Sequence, residues 1–200
     1  MKKIMVFTPI FIAFALIVSA VTPQIAMSEK ISENVLRLHI IANSDSLSDQ
    51  ELKLKVRDKI LEISPQIYNN CNNVGDAVAS SVDNISEIRK AAQSTLAFYD
   101  NTDEVVVTVC KEFFKTRKYN GFVLPAGVYN TVKVVIGQGK GHNWWCVMFP
   151  TVCISGCTDD FDKSLTPEER KMIESKGFAV RFKVVEVYER LKNTAKDSGK

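Results

Sequence analysis

Histidine is scarce in this chain, and the familiar hydrolase motifs are absent. Only His39 and His142 occur in 200 residues. The sequence also lacks the Gly-x-Ser-x-Gly turn of serine hydrolases and the His-Glu-x-x-His helix of zinc proteases. The sequence therefore carries neither of these two motifs. With only two imidazoles, the choice of a catalytic histidine is sharply limited.

The chain also lacks a strong excess of charge of one sign. Lysine and arginine number 26 against 23 acidic residues. If residues 1–20 are removed, Lys2 and Lys3 leave with them, and the net charge falls from +3 to +1. A nearly neutral chain has no electrostatic reason to bind nucleic acid or an anionic membrane surface. No internal repeat or low-complexity tract is present, and the remaining length suits one domain with a real core.

Long apolar runs are missing except at the amino terminus. There Ile10–Val18, about nine residues, follows a basic start. This run is short for a helix spanning ~30 Å of hydrocarbon, but it suits a signal-peptide core, and small residues follow at Ser19 and Ala20. Apolar residues continue to about Ala26, so an uncleaved anchor remains open. We predict that residues 1–20 are a signal peptide or signal anchor, that the chain is exported, and that it contacts the membrane only there.

The five cysteines fit an exported protein. They are Cys71, Cys110, Cys146, Cys153 and Cys157. A bridge between Cys146 and Cys153 would close a short loop and contribute about 2–3 kcal/mol in the chain-entropy model. The competing pair is Cys153 with Cys157, and sequence alone does not choose between them. With His142, the last three cysteines would offer four zinc ligands, but their spacing matches no paired Cys-x-x-Cys site. We therefore predict no metal and no cofactor.

Hydrophobic periodicity predicts an α+β fold. The predicted strands are Asn34–Asn43, Val105–Phe114, Val128–Ile136 and Trp144–Met148, and the predicted helices are Asp49–Ile63, Val74–Val82, Asn84–Tyr99 and Thr166–Lys176. We expect the first helix to end before Pro65. The last two strands are expected to form a hairpin. The result is a mixed or mostly antiparallel sheet packed against two to three helices, in a single domain over residues 32–191. Residues 192–200 are predicted to be a disordered tail.

A glycine-rich loop opens into two adjacent tryptophans and is the most unusual segment. Gly139 and Gly141 permit a tight turn and close backbone approach, while the residues between and after them add nothing apolar to a core. The two tryptophans are predicted to lie on opposite faces of the following strand. We predict a protein-binding site here, with an inert turn as the alternative. Its predicted contact residues are Lys140, His142, Asn143, Trp144 and Trp145.

A second candidate patch lies on the first strand and the turn after it. Its residues are Arg37, His39, Asn43 and Asp45. Arg37 and His39 share one strand face, which indicates either a buried histidine beside a surface arginine or a polar contact face. The turn itself is typical of a helix entry. In the next helix, Lys53 and Arg57 lie four residues apart and are predicted to form a solvated charged face.

An enzyme remains the rival interpretation. An exported hydrolase acting on cell-wall or peptide substrates would use Cys146 as nucleophile and His142 as base, with Asp45 or Asp49 orienting the imidazole. Four residues apart, the base and the nucleophile would meet on a helix. In a loop that leads into a strand, the same spacing separates them by up to ~13 Å. The pattern therefore disfavours catalysis.

Four strings in this sequence resemble the stage II sporulation protein R family. They are RLHIIANSDS (residues 37–46), DQELKLKVRD (49–58), PAGVY (125–129) and GKGHNWWCVMFP (139–150), followed by Cys153. The resemblance runs from about Leu36 to Cys153, in the family's order and with its intervening lengths. Cys71, Cys110 and Cys157 lie outside these strings, so the resemblance favours the pairing of Cys146 with Cys153.

The resemblance implies a signalling protein of endospore-forming bacteria. Members of the family are made in the forespore and exported into the intermembrane space that faces the mother cell. There they activate a membrane-embedded aspartic protease, which removes the pro-sequence of a mother-cell sigma factor. On this interpretation the chain is a protein ligand with no catalytic residue of its own.

Overall fold

The fold is given by a computed structural model that describes residues 12, 19, 22–23, 25–119, 122–150, 167–168, 186–188 and 190–192. Most of the signal segment and of the predicted helix Thr166–Lys176 lies outside these residues, as do Cys153, Cys157 and the tail beyond Lys192. The chain divides into two compact units. The first comprises residues 1–32, 113–128 and 166–200, and the second comprises residues 33–112 and 129–165.

Nine elements lie between residues 36 and 149. In chain order they are β1 (Leu36–Ile41), α1 (Leu47–Tyr68), α2 (Val74–Asp83), α3 (Ile85–Phe98), β2 (Val105–Phe114), β3 (Arg117–Lys118), β4 (Val123–Leu124), β5 (Gly127–Ile136) and β6 (Asn143–Phe149). Hydrophobic periodicity therefore located the longer elements between residues 36 and 149, but it did not predict the helix formed by residues 25–33. The predicted α+β class with a mixed sheet packed against helices is confirmed.

The main sheet has the strand order β2-β5-β1-β6. Strand β1 runs parallel to β5 and antiparallel to β6. The predicted hairpin of β5 with β6 is wrong, because β1 lies between these two strands. The physical reason is the apolar character of β1, which is buried along nearly its whole length and is most stable with a neighbour on each side.

One face of the sheet packs against the helices. Leu38 and Ile40 of β1, Val56 and Ile60 of α1, and Ile88 of α3 belong to one core cluster and are fully buried. Each such side chain contributes about 1.5–3 kcal/mol through removal from water. This core holds α1 against the end of β1, next to the glycine loop.

Helix α1 is longer than predicted at both ends. It begins after Ser46, whose hydroxyl accepts a hydrogen bond from the Asp49 backbone N–H at 3.2 Å. It continues through Pro65, although proline removes one backbone hydrogen bond. The additional turn buries Ile67 and Tyr68, and the Tyr68 hydroxyl lies 2.8 Å from that of Ser81. Burial of this turn offsets the lost bond, and burial also raises the pKa of Tyr68 to about 12.

The described part of the first unit is small. Residues 25–33 are helical. Strands β3 and β4 pair antiparallel, and the rings of Tyr119 and Phe122 stack beside them with centroids 5.1 Å apart. Lys192 forms an ion pair with Glu29. Within the residues that the structure describes, no helix combines the length and apolar character needed to cross a membrane.

Candidate functional site

The glycine loop crosses the end of β1 and is bound to it by backbone hydrogen bonds. The Lys140 N–H donates to the Asn43 carbonyl at 3.1 Å, and the Gly141 N–H donates to the Ala42 carbonyl at 2.9 Å. The side-chain oxygen of Asn43 also accepts from the Gln138 N–H at 2.9 Å. The loop is therefore docked on the first strand, and the two candidate patches predicted separately meet at one place.

Close packing explains the glycines of this loop. A Cβ at Gly141 would overlap the Ser44 carbonyl, which is backbone and cannot move aside. Gly139 has a φ of +62°, and a Cβ there would lie 2.6 Å from a methyl carbon of Val135. Only glycine fits both positions without displacing its neighbours. The conformation of the loop therefore depends on the absence of a side chain at Gly139 and Gly141.

His142 pairs with Asp45 at the surface. The Asp45 carboxylate accepts from the His142 backbone N–H at 2.6 Å and also contacts the imidazole Nδ1. The two side chains remain 78% and 55% exposed. The hydrogen bond with the imidazole lowers the pKa of Asp45. This pair joins the loop to the turn that precedes α1 while leaving both groups accessible to a partner.

Lys53 supports the loop from beneath. Its ammonium is buried and donates to the His142 carbonyl at 2.9 Å and to the Gln50 side-chain oxygen at 2.5 Å. The Gln50 amide in turn donates to the Ser44 carbonyl at 2.8 Å. Burial lowers the pKa of Lys53. The predicted solvated face is therefore wrong for this residue, which instead ties α1 to both the turn and the loop.

The two tryptophans lie on opposite faces of β6, as predicted. Trp144 packs against the core, with the Arg57 guanidinium 4.5 Å from its ring centroid. Trp145 stacks on the His39 imidazole, with centroids 5.5 Å apart and planes 21° apart. Both tryptophans are half-buried. Because both rings pack against other residues of the chain, the two tryptophans support the structure around the loop at least as much as they could contact a partner.

A polar network lies behind Trp145. His39 Nδ1 is 2.7 Å from the Glu112 carboxylate, and His39 Nε2 is 3.1 Å from the side-chain oxygen of Asn143. Lys133 donates to the other oxygen of Glu112 at 2.9 Å. Burial alone would raise the pKa of Glu112, but the hydrogen bonds from His39 and Lys133 lower it. The network connects β2, β5, β1 and β6 in sheet order and positions Asn143.

Arg37 is not a surface residue. It is fully buried, and its guanidinium lies 5.0 Å from the centroid of the Tyr129 ring. His39 is 6% exposed. The interpretation that paired a buried histidine with a surface arginine was therefore wrong for the arginine. The accessible part of the two candidate patches, which we call the loop–turn surface, consists of Asp45, Lys140, His142 and Asn143.

Comparison with known proteins identifies the family. The model of the family described as stage II sporulation protein R matches residues 32–159. The chain belongs to this family. A stage II sporulation protein R from Bacillus subtilis is 33% identical over 123 residues, which cover 62% of this chain and 55% of the relative. The chain therefore matches only about half of that relative's length. No solved structure shows significant similarity to the chain.

Membership in the stage II sporulation protein R family indicates a role in sporulation. The matched region includes the whole loop–turn surface and its supports, Lys53 and Glu112. Neither support was predicted as part of the site. A lysine inside the apolar stripe of α1 was the available signal for Lys53, whereas Glu112 is recognisable only once the strand order is known.

Cys146 does not have the environment of a nucleophile. It is 2% exposed and belongs to the core cluster, facing Leu38 in the sheet register. A thiol buried there is not accessible to a substrate. Cys153 lies outside the described residues, so the pairing of Cys146 with Cys153 stays a prediction. Burial raises the pKa of the Cys71 and Cys110 thiols.

Proposed function

We propose that this stage II sporulation protein R family member activates a membrane-embedded aspartic protease in trans. The activated protease then processes the pro-sigma factor of the mother cell. The chain is made in the forespore and exported to the intermembrane space, where it is secreted or held by an uncleaved signal segment. The single observation that carries this proposal is the construction of the loop–turn surface. Two segments about 95 residues apart are joined by backbone hydrogen bonds and by the contact of His142 with Asp45 into one exposed polar surface.

Activation in trans requires the chain to bind the active state of the protease better than its inactive state. A difference of about 2–4 kcal/mol in binding free energy raises the active population by roughly 30–1000-fold. A few well-ordered polar contacts are sufficient for this difference. The loop–turn surface offers a cation at Lys140, the pair of His142 with Asp45, and the Asn143 amide. It is preorganised, so little ordering free energy is lost on binding.

The alternative function, an exported Cys/His hydrolase, has weaker support. The His142–Asp45 pair does resemble a base with its orienting carboxylate. The nucleophile assigned to it, Cys146, lies in the hydrophobic core rather than beside the imidazole. We therefore propose that the chain acts as a ligand, without a catalytic residue or a cofactor.

Reconstitution in a bacterial host that does not sporulate tests this function. The membrane protease and its pro-sigma substrate are produced with and without the full chain, and the cleaved fraction is measured by immunoblot. We expect cleavage only in the presence of the exported chain. Cleavage of equal extent in its absence would contradict activation. The variant Cys146→Ala separates the two functions, because a ligand keeps its effect when this thiol is removed and a cysteine hydrolase does not.

A further inference from the structure

A pair of aromatic side chains is exposed at the end of α3. Phe98 is 80% exposed and Tyr99 is 48% exposed. Their rings meet edge to face, with centroids 5.1 Å apart and planes 86° apart. The inward face of the same helix is fully buried at Ile88, Ala92 and Leu96. Large exposed aromatic groups of this kind are the residues that most often anchor protein–protein interfaces.

Two adjoining depressions flank Tyr99, between α1 and the end of α3. The first includes Lys55, Asp58, Lys59, Glu62, Phe98 and Tyr99. The second includes Asp49, Glu51, Lys55, Tyr99 and Asp100. Tyr99 and Lys55 line both depressions. We call their combined lining the acid–aromatic surface.

The charges of the acid–aromatic surface are unevenly compensated. In the first depression, Lys59 pairs with Glu62 at 2.8 Å, and Asp58 is met by Arg57 at 2.6 Å. The second depression has three carboxylates against one lysine, a net charge of −2. The chain as a whole has a net charge of +3. Negative charge is therefore concentrated beside the exposed aromatic pair, on a chain that is otherwise slightly basic.

We propose that the acid–aromatic surface binds a basic, partly apolar segment of a partner polypeptide. The aliphatic stem and cation of an arginine or lysine fit against the face of Tyr99, with the charged head at Glu51 and Asp100. A neighbouring apolar side chain covers Phe98. This proposal goes beyond the activation of a protease, since its contact residues are not those of the loop–turn surface and it does not depend on the function of that surface.

Charge also decides between possible occupants. Nucleic acid and anionic lipid are repelled by the uncompensated carboxylates. In a symmetric pair of copies, the same patch of each copy faces the other, which would bring two acidic depressions together. A basic polypeptide segment is attracted by the carboxylates and also covers the aromatic rings. Charge complementarity thus favours a partner protein over a second copy of this chain.

Titration with synthetic peptides tests this proposal directly. The probe is a capped helical peptide of leucine and arginine, and the control probe has glutamate in place of every arginine. Binding to the isotope-labelled full chain is followed by NMR chemical shifts. We expect a Kd of about 0.1–1 mM for the arginine peptide, with shifts confined to α1 and the last turn of α3, and no binding of the glutamate peptide.

Matched variants identify the contacts. Phe98→Ser is expected to raise the Kd at least ~10-fold. The double variant Glu51→Gln with Asp100→Asn is expected to raise it ~3–10-fold and to weaken its salt dependence. Asparagine replaces Asp100 because this residue has a φ of +56°, a left-handed backbone conformation that asparagine tolerates. The controls are Val82→Ser, at an apolar side chain that is 52% exposed on α2, and Glu87→Gln on α3.

Three results would overturn the proposal. The first is arginine-peptide binding that Phe98→Ser leaves unchanged. The second is a dimer in light scattering of the full chain that Phe98→Ser dissociates, since the occupant would then be a second copy. The third is a large fall in the urea midpoint of Phe98→Ser relative to Val82→Ser, which would mean that the chain itself covers the ring. The activation assay is not used, so the proposed function can fail without affecting this test.

Discussion

Lys53 is a buried charge that we expect to matter more for activation than for stability. Desolvation of its ammonium opposes folding, as the lowered pKa indicates, while its hydrogen bond to the His142 carbonyl orders the loop. We predict that Lys53→Met changes the free energy of unfolding by less than about 1 kcal/mol, because loss of the hydrogen bonds is offset by relief of desolvation. Activation in the reconstituted system is expected to fall about 10-fold.

The control for Lys53→Met is Lys90→Met, at an exposed lysine of α3. It should change neither the urea midpoint nor activation. Lys53→Gln retains a donor for the His142 carbonyl and should restore part of the activity. If Lys53→Met unfolds the protein at a much lower urea concentration, the lysine is structural and the interpretation is wrong.

His142 and Lys140 are better probes of the loop–turn surface than the tryptophans. Both side chains are exposed, so alanine substitution should change the free energy of unfolding by less than about 0.5 kcal/mol. We predict that each substitution lowers activation about 10-fold, a loss typical of an interface contact. Glu87→Ala on α3 is the control for an exposed residue elsewhere. Normal activation by the double variant His142→Ala with Lys140→Ala would place the contact on another surface.

Glu112 gives the stability a defined pH dependence. Its pKa is lowered in the folded chain from an ordinary value of 4.5, so it contributes stability above that pH. The contribution is lost as the pH falls through the lower, folded-state pKa. We predict that Glu112→Gln is about 1–2 kcal/mol less stable than the original chain at pH 7. This difference in the free energy of unfolding should shrink as the pH falls below about 4.5 and vanish below the folded-state pKa of Glu112.

Urea midpoints measured from pH 7 to pH 3 check the Glu112 prediction. The control is Glu104→Gln, because Glu104 is 72% exposed in its ion pair with Arg89 and should have almost no effect. A difference between Glu112→Gln and the original chain that stays constant down to pH 3 would show that the carboxylate charge is not the stabilising feature.

The longer helices and strands between residues 36 and 149 were predictable from the sequence, but the pairing of the strands was not. The alternation in β2 and the periodicity in α3 are local properties of the sequence, and both elements were located almost to the residue. The insertion of β1 between β5 and β6 depends on contacts distant in sequence. Similarly, α1 passes Pro65 because of burial that only the tertiary structure provides.

The crossing of the loop over β1 makes Gly141 the most sensitive position of the loop. A Cβ there meets the Ser44 carbonyl, so Gly141→Ala must displace the loop or break its bonds to β1. We predict a loss of about 1–3 kcal/mol in the free energy of unfolding, measured by urea denaturation. The control is Gly75→Ala, where a Cβ meets a side-chain oxygen, that of the helix-capping Asn73, rather than backbone, so a smaller loss is expected. Equal effects of the two substitutions would contradict the docked loop.

For the chain as a whole, the two candidate patches were predicted as separate binding sites, and only the hydrolase alternative placed Asp45 beside His142. Polar, glycine-rich residues with no use in a core indicated the loop, and the turn after β1 indicated the second patch. Their meeting depends on the register that places Ile41 opposite Asn143. The same register buries Arg37 and places His39 against Trp145 as a support of the loop–turn surface. No local sequence pattern distinguishes these buried positions from those of an exposed strand face.

The last prediction concerns the compartment in which the chain acts. A protein ligand acts only on the side of the membrane where its receptor is exposed. Residues 1–20 contain the basic start and apolar run expected of an export signal. We predict that deletion of residues 1–20 abolishes activation in the reconstituted system while the urea midpoint of the purified chain stays unchanged. An unrelated cleavable signal peptide should restore activation. Full activation by the deleted chain, retained inside the producing cell, would contradict the exported-ligand interpretation, because the two proteins would then have to meet on the cytoplasmic side.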